Sequence, residues 1–160
     1  MFSSRTALSW FAVVKNDDSA ANTRIAFGER ASGNDGGFLF GKISNTNIFY
    51  SRGSSSASAR VDISEAAAFP TATMLASVVT TQSSGTAKRN GQSAGSSSTT
   101  LASVVYEAFS VLGNNATNNG RVGVNPWDGL ICEFIIYDSA LSDADRSAVE
   151  NYLIAKWGIT

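Results

Sequence analysis

The chain has 160 residues, with 12 Lys and Arg, 13 Asp and Glu, no His and a formal net charge of −1. This length fits one domain that can bury a core without disulfides or metals. A charged fraction of only 16% with balanced signs argues against electrostatic binding of nucleic acid or membranes. The sequence also contains no run of about 18 apolar residues of the kind that spans a membrane.

The N-terminal segment predicts a strand and no signal peptide. No sustained apolar run precedes Ala7, and from Ala7 to Lys15 both alternating faces are apolar, which indicates a strand packed on both sides. Cys132 is the only cysteine, so it cannot form an intrachain disulfide, and we interpret it as a small buried hydrophobe. These features predict synthesis in the cytoplasm.

The middle of the chain predicts antiparallel strands joined by polar turns. The strand patterns lie at residues 24–28, 37–42, 48–52, 59–63, 71–80 and 86–91, with shorter pieces at 104–109 and 110–113. Asn90-Gly91 is a strong hairpin signal, and we interpret the Ser-rich residues 94–100 as a loop. Turn signals roughly every 8–12 residues favour an all-β sandwich.

Residues 126–160 predict a turn, a strand and a closing helix. The strand from Leu130 to Tyr137 is rich in β-branched and aromatic residues. Strict alternation places Leu130, Cys132, Phe134 and Ile136 on one face and Ile131, Glu133, Ile135 and Tyr137 on the other. Both faces are mostly apolar, as in a strand covered on both sides.

The closing helix is predicted at about residues 142–157. Ser142 can cap its N-terminus with Asp145 three residues on, and Gly158 can adopt the left-handed cap at its C-terminus. We expect one apolar stripe of this helix to pack against the rest of the domain. The stripe consists of Val149, Tyr152, Leu153 and Trp157.

The same segment resembles a known signature. It combines a Gly-x-Ile-x-Glu strand (Gly129 to Glu133), a Tyr-Asp-x-x-Leu-Ser turn (137–142) and a Tyr-Leu-x-x-Lys-Trp helix (152–157). This combination is similar to that of the laminin-G-like, concanavalin A-like domains, in the form found in tail and other virion proteins of bacteriophages. The resemblance implies a single domain over residues 1–160. It also implies a two-sheet antiparallel jelly-roll sandwich with one C-terminal α-helix, used mostly to bind sugars or proteins.

The resemblance further implies a strand ahead of residue 7. In the family, such a strand precedes the one that corresponds to residues 7–15 and pairs beside the closing strand. Here it is missing or reduced to Met1 to Arg5. Because an uncovered sheet edge readily pairs with another chain, we hypothesise that a neighbouring subunit supplies it.

Catalysis is not predicted. Without His, the chain cannot form a Ser-His-Asp or Cys-His site. Related glucanases carry a Glu-x-Asp-x-x-Glu-like strand, with two carboxylates about 5–5.5 Å apart, but Glu133 is followed by four apolar or aromatic residues before Asp138. Glu133 therefore either accepts hydrogen bonds from the backbone or from Arg or Lys near the sheet, or faces a ligand.

No cofactor or metal ligand is predicted, although the resemblance leaves calcium open because many laminin-G-like and lectin domains bind it. Loop oxygens are offered by Asp17, Asp18, Asn34, Asp35, Asn114, Asn115, Asn118 and Asn119. Their spacing does not match an EF-hand, and turn chemistry explains them equally well.

Aromatic residues could form a sugar-stacking platform, but most of them lie inside strand patterns and are expected in the core. These are Trp10, Phe11, Phe38, Phe40, Phe49 and Tyr50. Trp127 stands in a Pro-Trp-Asp-Gly turn and is the aromatic residue expected closest to the surface. The sequence does not identify the ligand-binding residues.

Two functions are therefore considered. The first is a non-enzymatic structural and binding module of a phage virion, synthesised in the host cytoplasm. It would decorate the capsid or belong to a tail or fibre, held by contacts with other virion proteins or with copies of itself. The second is a lectin-like module that binds a host-surface glycan, with or without calcium. Neither nucleic acid nor a membrane is expected as a partner.

Overall fold

The computed structural model describes residues 7–17, 24–29, 37–43, 47–53, 60–65, 70–98, 109–111 and 127–160. These residues form ten strands and a C-terminal helix. In chain order they are β1 (Leu8–Asn16), β2 (Arg24–Glu29), β3 (Gly37–Ile43), β4 (Asn47–Gly53), β5 (Arg60–Glu65), β6 (Met74–Thr80), β7 (Gly85–Arg89), β8 (Gln92–Ser97), β9 (Phe109–Val111), β10 (Gly129–Tyr137) and α1 (Asp143–Trp157). No helix among the described residues is long and apolar enough to cross a membrane.

The strands form two five-stranded antiparallel sheets. Sheet 1 has the order β10-β1-β6-β7-β8, and sheet 2 has the order β5-β4-β3-β2-β9. The neighbours β10 and β1 are distant in the chain, as in a jelly roll, where the closing strand returns beside the first. The predicted all-β jelly-roll sandwich with one C-terminal helix is confirmed.

Strand β1 separates two apolar cores. Its residues from Leu8 to Val14 are all at most 2% exposed, as the apolar character of both faces predicts. Alternate residues, including Trp10, join Phe40 of sheet 2 in an inner core between the sheets. The others, including Phe11, join Leu153 in an outer core between sheet 1 and α1. The domain therefore has three layers: sheet 2, sheet 1 and the helix.

The predicted hairpins β2–β3 and β4–β5 are confirmed, with ends shifted by one or two residues. β6 begins at Met74, three residues later than predicted.

The interpretation of residues 94–100 as a loop is wrong for its first part, since β8 continues to Ser97. Asn90 and Gly91 have φ values of 50° and 79°, so a tight turn pairs β8 with β7 despite its Ser-rich composition. Of the short pieces predicted at 104–113, β9 covers 109–111, and the remainder lies outside the described residues.

A β-bulge in β10 changes the predicted faces. Val13 pairs with Glu133 but Val14 pairs with Ile131, so Cys132 is an extra residue in β10. The bulge therefore breaks the strict alternation on which the prediction was based. Ile131 joins Phe134 and Ile136 at the inner core, whereas Cys132 joins Ile135 and Tyr137 at the outer core. The predicted faces of Ile131 and Cys132 were wrong.

β10 is covered on both faces but only half-buried. It packs against both cores as predicted, yet it is the end strand of sheet 1 among the described residues. Leu130 at its start is 57% exposed. The strand proposed at residues 1–5 lies outside the described residues, so the missing edge strand stays a prediction.

The predicted caps of α1 are confirmed. The Ser142 hydroxyl accepts a hydrogen bond from the backbone N–H of Asp145 at 3.2 Å, and its backbone is extended. Gly158 adopts the left-handed conformation (φ 60°, ψ 36°), and the N–H of Ile159 donates to the carbonyl of Ile154 at 3.0 Å. The helix therefore ends at Trp157, one turn past Leu153.

The predicted apolar stripe of α1 is only partly correct. Leu153 is fully buried, but Tyr152 is 56% and Trp157 37% exposed. The residues that α1 buries besides Leu153 are Arg146 (1% exposed) and Glu150 (3%). The prediction is confirmed for Leu153 and for Val149, which packs against the outer core. It is wrong for Tyr152 and Trp157, because a charged pair occupies part of the buried face.

This charged pair, which we call the buried ion pair, is satisfied by sheet 1. The Arg146 Nε donates to Glu150 Oε1 at 2.9 Å, and Arg146 Nη1 donates to the Thr86 hydroxyl at 2.8 Å. Arg146 Nη2 donates to the Ser77 carbonyl at 2.9 Å, and the Ser77 hydroxyl donates to Glu150. Lys88 Nζ lies 3.4 Å from Glu150 Oε2. Buried charges need such partners because each would otherwise carry a large desolvation cost.

Replacing Arg146 with Met is expected to lower the free energy of unfolding by about 3 kcal/mol. This is the lower end of the range for breaking a buried pair, because Lys88 and Ser77 still contact Glu150. Urea unfolding measures the change. The double variant Arg146→Met/Glu150→Leu removes both charges and is the control, expected to be more stable than the single variant. A single variant as stable as the wild type would contradict this role.

Candidate functional site

The residues considered for calcium are only partly described. Asp17 forms an ion pair with Lys15 at 2.6 Å, and its backbone N–H donates to the Asp128 carbonyl at 2.9 Å. Asp18 and the Asn and Asp positions at 34, 35, 114, 115, 118 and 119 lie outside the described residues. In the described part of the chain, no three His, Cys, Asp or Glu residues are grouped closely enough to hold a metal.

The aromatic predictions had mixed outcomes. Trp10, Phe11 and Phe40 lie in the cores as expected, whereas the side chains of Phe38, Phe49 and Tyr50 are outside the described set. Trp127 is only 7% exposed and belongs to the inner core, so its predicted surface position was wrong. Trp127 lies two residues before β10, and its indole packs with the inner core instead of facing solvent.

Glu133 makes its contacts with the helix. Its Oε2 accepts a hydrogen bond from the indole Nε1 of Trp157 at 2.7 Å, and Lys156 Nζ lies 3.0–3.1 Å from both carboxylate oxygens. The expectation that a Lys or Arg near the sheet satisfies Glu133 is confirmed, and the cation is Lys156. The sequence pattern did not indicate the bond to Trp157, since it placed Trp157 on the buried stripe.

These contacts alter the protonation equilibria of both groups. The hydrogen bond from Trp157, and then that from Lys156, lower the pKa of the Glu133 carboxyl below its ordinary value. The bond to Glu133 raises the pKa of the Lys156 ammonium. The ammonium also lies 5.4 Å from the ring centre of Tyr152 and 5.9 Å from that of Trp157. Near neutral pH, Glu133 and Lys156 are therefore a charged but mutually neutralising pair.

Cys132 lies beside Glu133 at the bulge. It is half-buried against the outer core, close to the predicted role of a small hydrophobe. Burial raises the pKa of its thiol, partly offset by the positive charge of Lys15. At neutral pH the thiol is therefore protonated and a poor nucleophile.

Trp157 forms part of a cleft at the C-terminal end of α1, which we call the C-terminal cleft. This open cleft has a volume of about 480 Å³, within the range of small-molecule sites. Its lining comes from the segment before β6, the β7–β8 turn and the end of the chain. The lining residues are Pro70, Ala72, Thr73, Met74, Arg89, Asn90, Trp157, Gly158, Ile159 and Thr160.

The wall opposite the helix is held in place by Asn90. Its side-chain oxygen accepts from the N–H of Leu75 at 2.9 Å, and its side-chain NH₂ donates to the Thr160 carbonyl at 3.3 Å. Asn90 thereby ties the β7–β8 turn both to β6 and to the residues after α1. The cleft therefore lies between three segments that Asn90 joins by hydrogen bonds: the β7–β8 turn, β6 and the end of the chain.

The C-terminal cleft is lined by both apolar and polar residues. Its lining combines an indole ring with amide, hydroxyl and guanidinium groups, and contains neither Asp nor Glu. Glycoside hydrolysis needs two opposed carboxylates, and Glu133 is held by Lys156 and Trp157. An aromatic face with a few polar groups around it suits a small ligand that has both apolar and hydroxylated surfaces.

Comparison with known proteins gives one family and many structures of similar fold. A laminin G-type family model, described as the concanavalin A-like lectin/glucanases superfamily, matches residues 2–145. No curated protein sequence matches the chain.

Three solved structures illustrate the similarity. A heptameric SAP-like pentraxin from Limulus polyphemus has a TM-score of 0.69 at 16% identity, covering 91% of this chain and 70% of the pentraxin. The CBM40 of a Ruminococcus gnavus IT-sialidase, bound to α2,3-sialyllactose, has a TM-score of 0.69 at 15% identity, covering 92% and 84%. Domain 4 of an extracellular Geobacillus stearothermophilus arabinanase, in complex with arabinotriose, has a TM-score of 0.64 at 18% identity, covering 94% and 68%. Identities this low establish the shared fold alone.

The lowered pKa of Glu133 predicts an acid-sensitive contribution to stability. A carboxyl whose pKa is lower in the folded state stabilises the fold at pH values above its unfolded pKa and loses that effect as pH falls through the folded pKa. The stability advantage of wild type over Glu133→Gln should therefore be constant near pH 7 and shrink below the ordinary glutamate value of 4.5. Thermal unfolding of both proteins from about pH 7 to about pH 3 measures this. An advantage unchanged across that range would be inconsistent with the Glu133 contacts.

Proposed function

The chain belongs to the concanavalin A-like lectin/glucanase superfamily, and we propose that it is a non-catalytic carbohydrate-binding module whose ligand site is the C-terminal cleft. The observation that carries this proposal is Trp157, an exposed indole at the wall of a cleft of about 480 Å³. A cleft lined by an aromatic residue and a few convergent polar groups is typical of a small-molecule site.

The geometry suits a sugar. The C–H face of a pyranose or furanose ring is apolar and packs on an aromatic ring, while its hydroxyls need donors and acceptors at the rim. Trp157 supplies the ring, and Arg89, Asn90 and Thr73 supply polar groups around it. The protein groups are fixed before binding, because Asn90 and Glu133 hold the two walls.

Structures of similar fold support the same class of function. The Ruminococcus gnavus module and the arabinanase domain have sialyllactose and arabinotriose bound, respectively. Both are modules of larger glycan-degrading enzymes, and their ligands differ in charge and ring size. They support carbohydrate binding as a class and leave the identity of the sugar to experiment.

A non-catalytic role agrees with the available side chains. The chain has no His, the lining of the cleft includes no Asp or Glu side chain, and the nearby Glu133 has a lowered pKa. A general acid in glycoside hydrolysis needs a raised pKa in order to donate its proton near neutral pH. Glu133 has the opposite tendency.

Replacing Trp157 with Ala is expected to weaken sugar binding at least tenfold, the loss typical of truncating a central aromatic residue. Calorimetric titration of wild type and variant with arabinotriose, lactose and sialyllactose, chosen after a glycan-array screen, measures it. Tyr152→Ala is the matched control, because Tyr152 is an exposed aromatic residue of the same helix that does not line the cleft. Equal affinities for wild type and Trp157→Ala would place the site elsewhere, and no binding to any glycan would refute the proposed function.

A second candidate is a structural module of a phage virion, as the C-terminal signature implies. The observation that favours it is β10, which is the end strand of sheet 1 among the described residues and has the exposed Leu130 near its start. Such an edge can pair with a strand of a neighbouring copy. In this proposal the partners are copies of the chain or other virion proteins, and the location is the virion.

The virion candidate predicts that the isolated chain forms a closed oligomer in solution. Light scattering measures the mass, with and without EDTA to test any dependence on calcium. A stable oligomer that ignores EDTA supports pairing at the sheet edge. A well-folded monomer contradicts self-association and leaves another virion protein or a glycan as the partner to look for.

A further inference from the structure

We propose that Glu133 is a positioning residue that holds the indole of Trp157 in the orientation in which the C-terminal cleft binds its ligand. The inference rests on the proposed function for its effect on sugar affinity. The contacts that carry it, between a bulged strand and the last residue of a helix, exist without a ligand.

Glu133 lies on the helix side of sheet 1, in the same alternation as Ile135 and Tyr137, and its carboxylate reaches the end of α1. Cys132 is the extra residue of β10, and Glu133 lies opposite Val13, which belongs to the outer core. Two consecutive residues of a bulge commonly share one face, and here both Cys132 and Glu133 contact the helix side of sheet 1. The Glu133 carboxylate extends to the last residue of α1, Trp157.

Trp157 is fixed from two directions. Its backbone ends the helix, since Gly158 adopts the left-handed cap directly after it. Its ring is held by the 2.7 Å hydrogen bond from Nε1 to Glu133, while the Lys156 ammonium lies over the indole at 5.9 Å. The two remaining torsions of the side chain are therefore restrained although 37% of the residue is exposed.

Restraining an exposed aromatic side chain improves binding by removing the entropy cost of ordering it when the ligand arrives. The same contacts could in principle serve only to attach the helix to the sheet. That attachment is already supplied by the buried ion pair and by Leu153 and Ile159 of the outer core. Loss of the Glu133 carboxylate should therefore release the indole while α1 stays docked.

The first test measures the ring itself, without ligand. Trp10 and Trp127 are 2% and 7% exposed, so acrylamide quenching of tryptophan fluorescence reports mainly on Trp157. We expect Glu133→Ala to increase quenching and Glu133→Gln to restore much of the protection, since an amide oxygen can still accept from the indole. Far-ultraviolet circular dichroism checks that the helix content is unchanged. Equal quenching in wild type and Glu133→Ala, with α1 intact, would overturn the positioning role.

The second test is a double-mutant cycle on sugar affinity. Glu133→Ala should weaken binding roughly two- to tenfold, the cost of ordering one side chain, and Glu133→Gln should recover most of that loss. Trp157→Phe keeps a ring but removes the N–H, so in that background Glu133→Ala should have no further effect. An equal effect of Glu133→Ala in both backgrounds would refute positioning through the indole. If wild type binds no sugar, the proposed function fails, and the quenching test still decides whether Glu133 holds Trp157.

Discussion

The Arg146 guanidinium is buried against sheet 1, so each of its nitrogens needs a hydrogen-bond acceptor. The observed position of α1 on the sheet provides such acceptors from two strands. Ser77 of β6 and Thr86 of β7 accept from it, and Glu150 one turn later accepts as well. A purely apolar helix face could slide or rotate over a sheet at small cost, whereas directional bonds to a buried charge allow little displacement. These bonds to Arg146 therefore also fix the position of residues 158–160, which follow α1.

The contacts of Arg146 also fix the positions of the two walls of the C-terminal cleft. One of its walls comes from the end of α1, and the other comes from the turn after β7, the strand that also supplies Thr86 to the buried ion pair. Asn90 closes the arrangement by bonding to both Leu75 and Thr160. A charged network about two turns from the cleft thus sets the distance between its walls, although none of its members lines it.

Local signals in the sequence were sufficient for most of the fold. Strand periodicity gave β1 and the two hairpins of sheet 2, and the caps at Ser142 and Gly158 depend on residues only three or four apart. Failures arose where strand pairing or packing against another element overrode the local composition. The tight turn at Asn90-Gly91 kept a Ser-rich segment in the sheet, because the pairing partner decides strand formation at such positions.

The candidate site was less predictable for the same reason. Trp127 and Trp157 exchanged their expected roles, the first lying in the inner core and the second at the surface. A hydrophobicity scale treats the two indoles alike, and it treats Arg146 and Glu150 as surface residues. Only the knowledge that Ser77 and Thr86 lie beneath the helix would have reversed that orientation.

The bulge in β10 has a consequence for comparing this chain with its relatives. Val14 pairs with Ile131 and Val13 pairs with Glu133, so Cys132 has no partner in β1. A strand without a residue at position 132 would still direct Ile131 and Glu133 to the same sides of the sheet. Homologous strands of unequal length can therefore be superposed by a one-residue gap at this position. An ungapped alignment anchored on the residues before Cys132 would instead match Glu133 with side chains that point into the sandwich, and would misidentify its evolutionary counterparts.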